Sequence, residues 1–529
     1  MIASLSRKVN GNVQTNFAVS KYSRFFSSSN KLEKHFDVTI VGGGAVGSAL
    51  ANLISENIPS LSVALMDART PKSPNDAFNI DSSSKTCFPS PRAYALSPKS
   101  LSLLGDDIVS KLDEKGRLAY YDTMQVWESD GPAVLQFNHQ DIDDTDKLNG
   151  DILGAVVEDE PMVSCLWDKM KNNSHVELIS PTIIEKINAP SASDDESKVE
   201  VMYKKAGNDN AEPSNLTTNL LVAADGANSF VRKSDGTFHT VSYSYGRTAV
   251  TCTVEIDSSI HKTAFQRFQK NGPIALLPVW NEDSSKRQGN CGDKTYANIV
   301  WSTTPEEAKY LKSLPEKDFV MAMNDLLQSG PTNTPPLFPT ELKNSLPRPF
   351  QSAMNGIEML SQSANTGLTM SGMTERRQGF RVAPMITNVV GRVFSFDLNL
   401  MHAKNYISNR ICLVGDAAHT IHPMAGQGLN LGMGDAACLT KNIKHVVESG
   451  MGIDTNAGLD YALKQYESSR QREVVATMGG IQFLHGAFGT TFSPAVHVRS
   501  VGMNMINSIG PVRRKLVKVA TGIEDVVSI

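Results

Sequence analysis

No run of about 18 or more apolar residues occurs anywhere in the chain, so no segment reads as a membrane-spanning helix. Charge of one sign is not in excess either: the net charge of −4 gives no reason to expect a nucleic-acid partner. Cysteine is sparse and scattered. Cys87, Cys165, Cys252, Cys291, Cys412 and Cys438 form no Cys-x-x-Cys pair, which argues against a disulfide scaffold or a zinc site and fits a reducing compartment. Acid is missing from the first stretch, where no Asp or Glu precedes Glu33, while Arg7, Lys8, Lys21, Arg24 and Lys31 stand among many Ser and Asn. A basic, Ser-rich, acid-poor leader over residues 1–32 reads as a mitochondrial transit peptide, the alternative being a disordered basic tail; cleavage is expected near Arg24–Ser27.

What is present is the composition of a folded protein, with 40% hydrophobic and 20% charged residues. A chain of 529 residues is too long for one ordinary core, so two packed domains and a tail are expected. The apolar run Phe36–Val41 leads at once into Gly42-Gly-Gly-Ala-Val-Gly47, after which Val46, Ala49, Leu50, Leu53 and Ile54 recur at helical spacing. A second run, Ser62–Met66, ends in Asp67, about twenty residues beyond the last glycine. Strand, glycine turn, helix, strand and acid together form a dinucleotide-binding unit. Gly42 permits the tight turn, Gly44 admits a pyrophosphate, Gly47 lets helix and strand approach, and Asp67 can accept ribose hydroxyls. Taken alone, this unit serves NAD and FAD equally.

Two later motifs separate the cofactors. The buried-strand pattern Asn219–Ala224 ends in Asp225-Gly226, and Arg410–Val414 ends in Gly415-Asp416-Ala-Ala-His419. A second glycine cluster, His422-Pro-Met-Ala-Gly426-Gln-Gly428-Leu-Asn430, opens a helix whose face runs through Leu429, Met433, Ala436, Ala437, Thr440 and Ile443. The free amides at such a helix start can face an anion, and reduced flavin carries its negative charge on the pyrimidine edge.

A glycine fingerprint, an Asp-Gly motif and a Gly-Asp motif, in this order on one chain, resemble the FAD-dependent aromatic hydroxylases, the family of para-hydroxybenzoate hydroxylase. The run from His422 to Asp435 is similar to the signature of the ubiquinone-biosynthesis hydroxylases. Gly272–Pro278, Ile299–Thr303 and Leu153–Glu158 agree with it. The resemblance implies an α/β fold: a Rossmann-like FAD-binding domain, a mixed or antiparallel-sheet substrate domain and a helical C-terminal tail. It implies Gly42, Gly44, Gly47 and Asp67 on the ADP half of FAD, with Asp225 and Gly226 near the pyrophosphate. Asp416, after Gly415, falls on the ribityl chain, and Pro423, Gly426, Gly428 and Asn430 line the isoalloxazine. Arg92, in Pro91–Leu96, matches an arginine at the flavin pyrophosphate.

The implied reaction is hydroxylation, expected at C5, of a polyprenylated 4-hydroxybenzoate through a flavin C4a-hydroperoxide. The implied setting is the matrix side of the mitochondrial inner membrane, with peripheral membrane contact. A single Gly-x-Gly-x-x-Gly fingerprint shows no second fold for NADPH, although family members without one bind NADPH in a cleft; the resemblance favours a ferredoxin and its reductase as donors, and implies other ubiquinone-biosynthesis proteins in a complex.

The FAD domain is expected to be discontinuous, over 36–122, 154–236 and 406–450, with a substrate domain over 123–153 and 237–405 and a helical region over 451–529. Thr248–Glu255, Ile299–Ser302, Met124–Trp127 and Val134–Phe137 read as strands of the substrate domain, and Pro190–Glu196, Gly207–Ser214 and Asn281–Lys294 as solvated loops. The tail carries Phe483, Leu484, Phe488, Phe492, Val496 and Val498, then Arg513, Arg514, Lys515 and Lys518; this suits either an anionic membrane surface or packing helices with a solvated end.

Three rival readings account for less. An NAD-dependent dehydrogenase leaves Asp225-Gly226 and Gly415-Asp416 without a role. A flavin halogenase has a Trp-x-Trp-x-Ile-Pro motif, whereas Trp127, Trp167, Trp280 and Trp301 are isolated. A flavin-bearing scaffold of a biosynthetic complex keeps the motifs but needs no turnover. His419 and His422 lack a third metal ligand at zinc spacing and read as structural. A phenolate reacts better than a phenol, so a base or positive field near the ring oxygen is expected, and no residue type in the sequence names it.

Overall fold

The computed structural model describes residues 34–78, 88–142, 152–190, 198–207, 212–281, 294–332, 336–337, 340–374, 380–422, 426–490 and 492–520. The leader, most of the expected loops, Cys87 and Cys291 lie outside the described residues.

A parallel sheet forms the first layer. Its inner order is Ile411–Leu413, Ser214–Ala223, Lys34–Val41, Val63–Met66 and Val176–Ile179, all paired in parallel. Strands covered on both faces carry continuous apolar runs rather than alternation, and all four residues of Val63–Met66 are buried. The hairpin of Thr182–Asn188 and Val199–Lys205 adds antiparallel pairing to Ser214–Ala223. Helix Ala45–Asn57 lies on this sheet between helices Asp159–Lys171 and Gln427–Glu448; its small side chains Ala45, Ser48, Ala49 and Ala51 are all buried, which lets the backbones approach closely.

Among the described residues the second sheet has eight strands, led by the long pair Thr240–Ile256 and Ile386–Ala403. It is antiparallel except where Thr123–Glu128 runs parallel to Thr263–Phe268. Helices Pro305–Ser313 and Glu316–Gln328 cover one face, closing a core of Val250, Val254, Phe319, Met323 and Leu327. The other face, with Tyr245, Ala249 and Leu398, forms a small cluster of its own. A three-stranded sheet of Ala93–Leu96, Gly154–Glu158 and Leu118–Tyr121 joins the two layers. Its joint is a buried knot in which Glu158 accepts from Arg117 at 3.0 Å and from Trp280 at 2.5 Å, with the Arg117 guanidinium 4.4 Å from the Trp280 ring centre.

Helices Asn456–Gly489, Ser493–Ser508 and Gly510–Ala520 complete the fold. They are tied to the second sheet: Phe488 stacks on Phe268 at 3.8 Å, and Arg499 pairs with Glu128 at 2.7 Å and Asp130 at 2.6 Å. The expected α/β architecture is therefore present. A 27-residue helix, Arg348–Thr374, was not legible in the sequence, where Gly356, several Ser and a lack of charge beyond Arg348 and Glu358 blur its period.

Candidate active site

The three motifs, up to some 400 residues apart, meet at the carboxyl ends of the parallel strands, where ligands bind in sheets of this type. At Gly42 the backbone turns with φ +107, and a Cβ there would lie 2.3 Å from the Ala224 carbonyl oxygen. A Cβ on Gly47 would lie 1.8 Å from the Gly42 carbonyl oxygen. Strand, turn and helix can therefore close only around glycine. Gly44 caps the helix, and a Cβ built on it meets nothing within 4 Å, so open space lies before the helix start. Asp67 accepts from the amide of Gly43 at 2.7 Å and from that of Arg69 at 2.7 Å, joining the second strand to the glycine turn. Trp167, which the sequence did not single out, donates from Nε1 to the Gly43 carbonyl at 2.8 Å and packs beneath it.

Asp225 follows the fourth parallel strand. Its Oδ2 accepts from the amides of Phe230 and Val231, while its buried Oδ1 has no hydrogen-bond partner among the described residues. Gly226 beside it has φ +82. Arg232 then reaches across, donating to the carbonyls of Ala417 at 2.6 Å and Ala227 at 2.7 Å, and so links the Asp-Gly turn to the Gly-Asp turn.

Gly415 has φ +58 and packs on Val46 of the first helix. Its amide donates to Asp435 Oδ2 at 2.8 Å. Asp435 is fully buried and also meets His419 Nε2 at 2.7 Å and Arg470 Nε at 2.8 Å. Burial alone would raise the Asp435 carboxyl, but the interactions with His419 and Arg470 outweigh it and hold it below the usual range. Asp416, next in the chain, points outward; surrounding protein withdraws enough solvent to raise its carboxyl, against the pull of His419. His419 is thus a structural partner of Asp435, in line with the reading of the sequence. The buried triad of His419, Asp435 and Arg470 has no local signal, because Arg470 arrives from a different helix.

The long helix Gln427–Glu448 starts at Gly426, which has φ +62. Gly428 leaves space above Ile421, the nearest atom being 4.0 Å from a Cβ built there. Asn430 is committed to structure: it donates to the carbonyls of Ala95 at 2.9 Å and Gly426 at 3.0 Å and accepts from the Ser97 amide at 2.9 Å. Its side chain therefore clamps the helix start to strand Ala93–Leu96. Pro423 lies outside the described residues. Arg92 is exposed and held by Asp159 at 3.1 Å and Tyr94 at 3.3 Å.

These residues fit a flavin dinucleotide. They offer a glycine cradle with open space at a helix start, an acid with an unpartnered buried oxygen, and a second helix start whose free amides can face an anion. Tyr245 of the second sheet packs edge-on against His422, and His485 of the first tail helix lies beside both.

The chain is similar to several known proteins. Residues 376–478 match the family model described as FAD binding domain. The ubiquinone biosynthesis monooxygenase COQ6, mitochondrial, of Drosophila melanogaster is 29% identical over 505 residues, covering 94% of this chain and 92% of that protein. The protein of the same name from Homo sapiens is 28% identical over 494 residues, covering 92% of each. Among solved structures, the p-nitrophenol 4-monooxygenase PnpA from Pseudomonas putida has a similar fold, with a TM-score of 0.61 at 16% identity over 93% of this chain and 99% of that one.

Proposed function

On this kinship, which bears out the resemblance read from the motifs, we propose that the protein is an FAD-dependent monooxygenase of ubiquinone biosynthesis, hydroxylating the ring of a polyprenylated 4-hydroxybenzoate at C5. The observation that carries this reading is the convergence of the three motifs within a chain similar to those monooxygenases over almost its whole length.

Bound and reduced, the flavin supplies oxygen activation. The chain's own residues supply position and charge. Gly42, Gly44, Gly47 and Asp67 hold the ADP half; Asp225 and Gly226 lie near the pyrophosphate with Arg92; Gly415 and Asp416 serve the ribityl chain. Pro423, Gly426 and Gly428 line the isoalloxazine, with Asn430 fixing the helix start at Gly426. The helix start at Gly426 favours the reduced, anionic flavin through its free amides. In domain terms, segments 36–122, 154–236 and 406–450 bind the cofactor, segments 123–153 and 237–405 cover the reacting ring, and 451–529 closes the assembly.

A ferredoxin and its reductase are the proposed electron source, and other enzymes of the pathway the proposed companions, on the matrix face of the mitochondrial inner membrane behind a cleaved leader at 1–32. No helix among the described residues is long and apolar enough to cross a membrane, and peripheral contact suits a lipid substrate. The proposed contact face is the adjoining pair of helices that expose Leu360 and Val498, with the exposed Arg514 on the helix that follows as a site for anionic headgroups.

Mass spectrometry of quinone lipids from cells lacking the protein tests the proposal. Loss of ubiquinone with accumulation of a prenylated phenol short of one ring oxygen is the expected result. Normal ubiquinone moves the substrate to another aromatic and ends the pathway assignment. Complementation with Gly44→Val, whose added side chain enters the open space before the helix and meets no backbone, separates enzyme from scaffold, since a scaffold restores the quinone without flavin and an enzyme does not.

A further inference from the structure

The second sheet carries an insertion beside the flavin loop. Between Thr240–Ile256 and Ile386–Ala403, Ser244 stands opposite Asn399 and pairing resumes with Arg247 opposite Leu398, so Tyr245 and Gly246 have no cross-strand partners. Gly246 takes φ +59, a left-handed conformation open to glycine at little cost. Insertions of this kind bend a strand and re-aim its side chains, and they concentrate next to reaction sites. Here Tyr243 is exposed, whereas Tyr245 turns inward and is only 6% exposed.

Around Tyr245 three parts of the chain come together. The His422 ring, from the flavin loop, stands edge-on at 4.9 Å, and the His485 ring, from helix Asn456–Gly489, lies at 5.2 Å; the two imidazoles are 6.0 Å apart. Two polar atoms at this point, Tyr245 Oη and Arg247 Nε, are shut off from water and have no hydrogen-bond partner among the described residues. A buried hydroxyl and a buried guanidinium N–H left unpaired are costly, and a ligand oxygen carrying negative charge is a fitting partner for either.

The charged and titratable groups that bear on the cluster are Tyr243 and Arg247 of the sheet, His422 of the loop and His485 of the tail helix. Burial, then His485, pushes His422 down to about 4; burial, then the Arg247 charge, lowers His485; burial, then Tyr243, raises the Tyr245 hydroxyl. Near neutral pH the phenol of Tyr245 therefore keeps its proton, and both imidazoles are free bases.

We infer that Tyr245, Arg247 and His485 form the site that binds and ionises the ring hydroxyl of the substrate. This rests on the monooxygenase reading and supplies the base that reading lacks. The substrate phenol gives its proton to the His485 imidazole, and the electron pair of the broken O–H bond stays on the ring oxygen. Tyr245 Oη donates a hydrogen bond to that oxygen, and the Arg247 cation offsets its charge. His485 is only half-buried, so the proton can leave it for solvent.

The test uses the purified flavoprotein and a 4-hydroxybenzoate bearing one isoprenyl unit. Ultraviolet difference absorbance reports ionisation of the bound phenol against pH, while the visible spectrum reports flavin. Arg247→Met is expected to raise the apparent pKa of the bound phenol by about one to three units. His485→Gln is expected to cut ring hydroxylation about 100-fold and to move its pH optimum upward, with the flavin spectrum unchanged. Tyr245→Phe deletes one oxygen and keeps the ring contacts, so it tests the hydrogen bond without opening a cavity; the bound phenol should again ionise at higher pH. Ionisation at one pH in all four proteins, an unaltered pH profile in His485→Gln, or failure of the flavin-bearing wild type to bind the phenol overturns the inference and leaves the monooxygenase reading standing. A wild-type protein without flavin ends both.

Discussion

At the scale of single residues, the site is a set of contacts that leave almost no freedom of substitution. Gly47→Ala puts a methyl carbon 1.8 Å from the Gly42 oxygen, and the backbone must move. Overpacking of this kind costs about 1–3 kcal/mol, so a lower unfolding midpoint with loss of yellow colour on purification is expected. Asp435 faces two partners at once. Asp435→Asn leaves Arg470 unpaired in the interior and should cost about 3–5 kcal/mol, measured by denaturant unfolding. Its carboxyl is held below the ordinary value, so its contribution is present above that value and disappears as the pH falls through it; the variant should lose this part of the acid limb. His422 acts in a higher window. Its pKa is driven from 6.5 to about 4, so the folded state keeps it neutral while the unfolded chain protonates. Stability present above pH 6.5 should decline by up to about 3 kcal/mol as the pH falls toward 4, and His422→Gln should flatten that decline in thermal melts between those limits.

At the scale of elements, helices Gln427–Glu448 and Asn456–Gly489 do most of the joining. The first brings its start to the flavin loop and holds Asp435 under Gly415; the second supplies Arg470 to that acid and His485 to the sheet. The helix Arg348–Thr374 plays a different part. Glu358 points inward to Lys343, while Phe350, Ile357 and Leu360 share an exposed stripe. Ser361 Oγ lies 2.7 Å from His497 Nδ1, which ties this helix to Ser493–Ser508, and Leu360 on the one and Val498 on the other are each 73% exposed. Burying a leucine contributes about 1.5–3 kcal/mol, so Leu360→Asp should weaken co-sedimentation with anionic vesicles about tenfold or more. Equal sedimentation of variant and wild type would remove this face from the membrane assignment.

At the scale of the whole molecule, the candidate cofactor site is assembled from three distant segments, so its ligand should act as a staple. FAD at a hundred times its dissociation constant should add about 2.7 kcal/mol to stability and raise the unfolding midpoint of the apoprotein by several degrees in a thermal shift assay. No shift would mean that the converged motifs do not hold the flavin. The first unit and both later motifs were legible because they are local: glycines fall where a turn and a close approach demand them, and acids fall at strand ends. The same locality explains the misses. Trp167 beneath Gly43, the Arg117–Glu158–Trp280 knot and Arg470 on Asp435 pair residues far apart in sequence, and nothing beside any one of them marks its partner. Asn430 shows a subtler limit: its place in the loop was readable, but its use as a clamp depends on the strand that lies beside it.

By itself, then, the sequence determined the chemistry class, because binding a dinucleotide needs particular residues within a turn or two of backbone, and short-range geometry is written in neighbouring residues. Only the tertiary structure decided which side chains gather beside the second glycine cluster. Tyr245, His422 and His485 come from a sheet, a loop and a tail helix, and no periodicity links them. They meet because Phe488 stacked on Phe268, and Arg499 paired with Glu128, hold the tail helices against the second sheet, a matter of long-range packing.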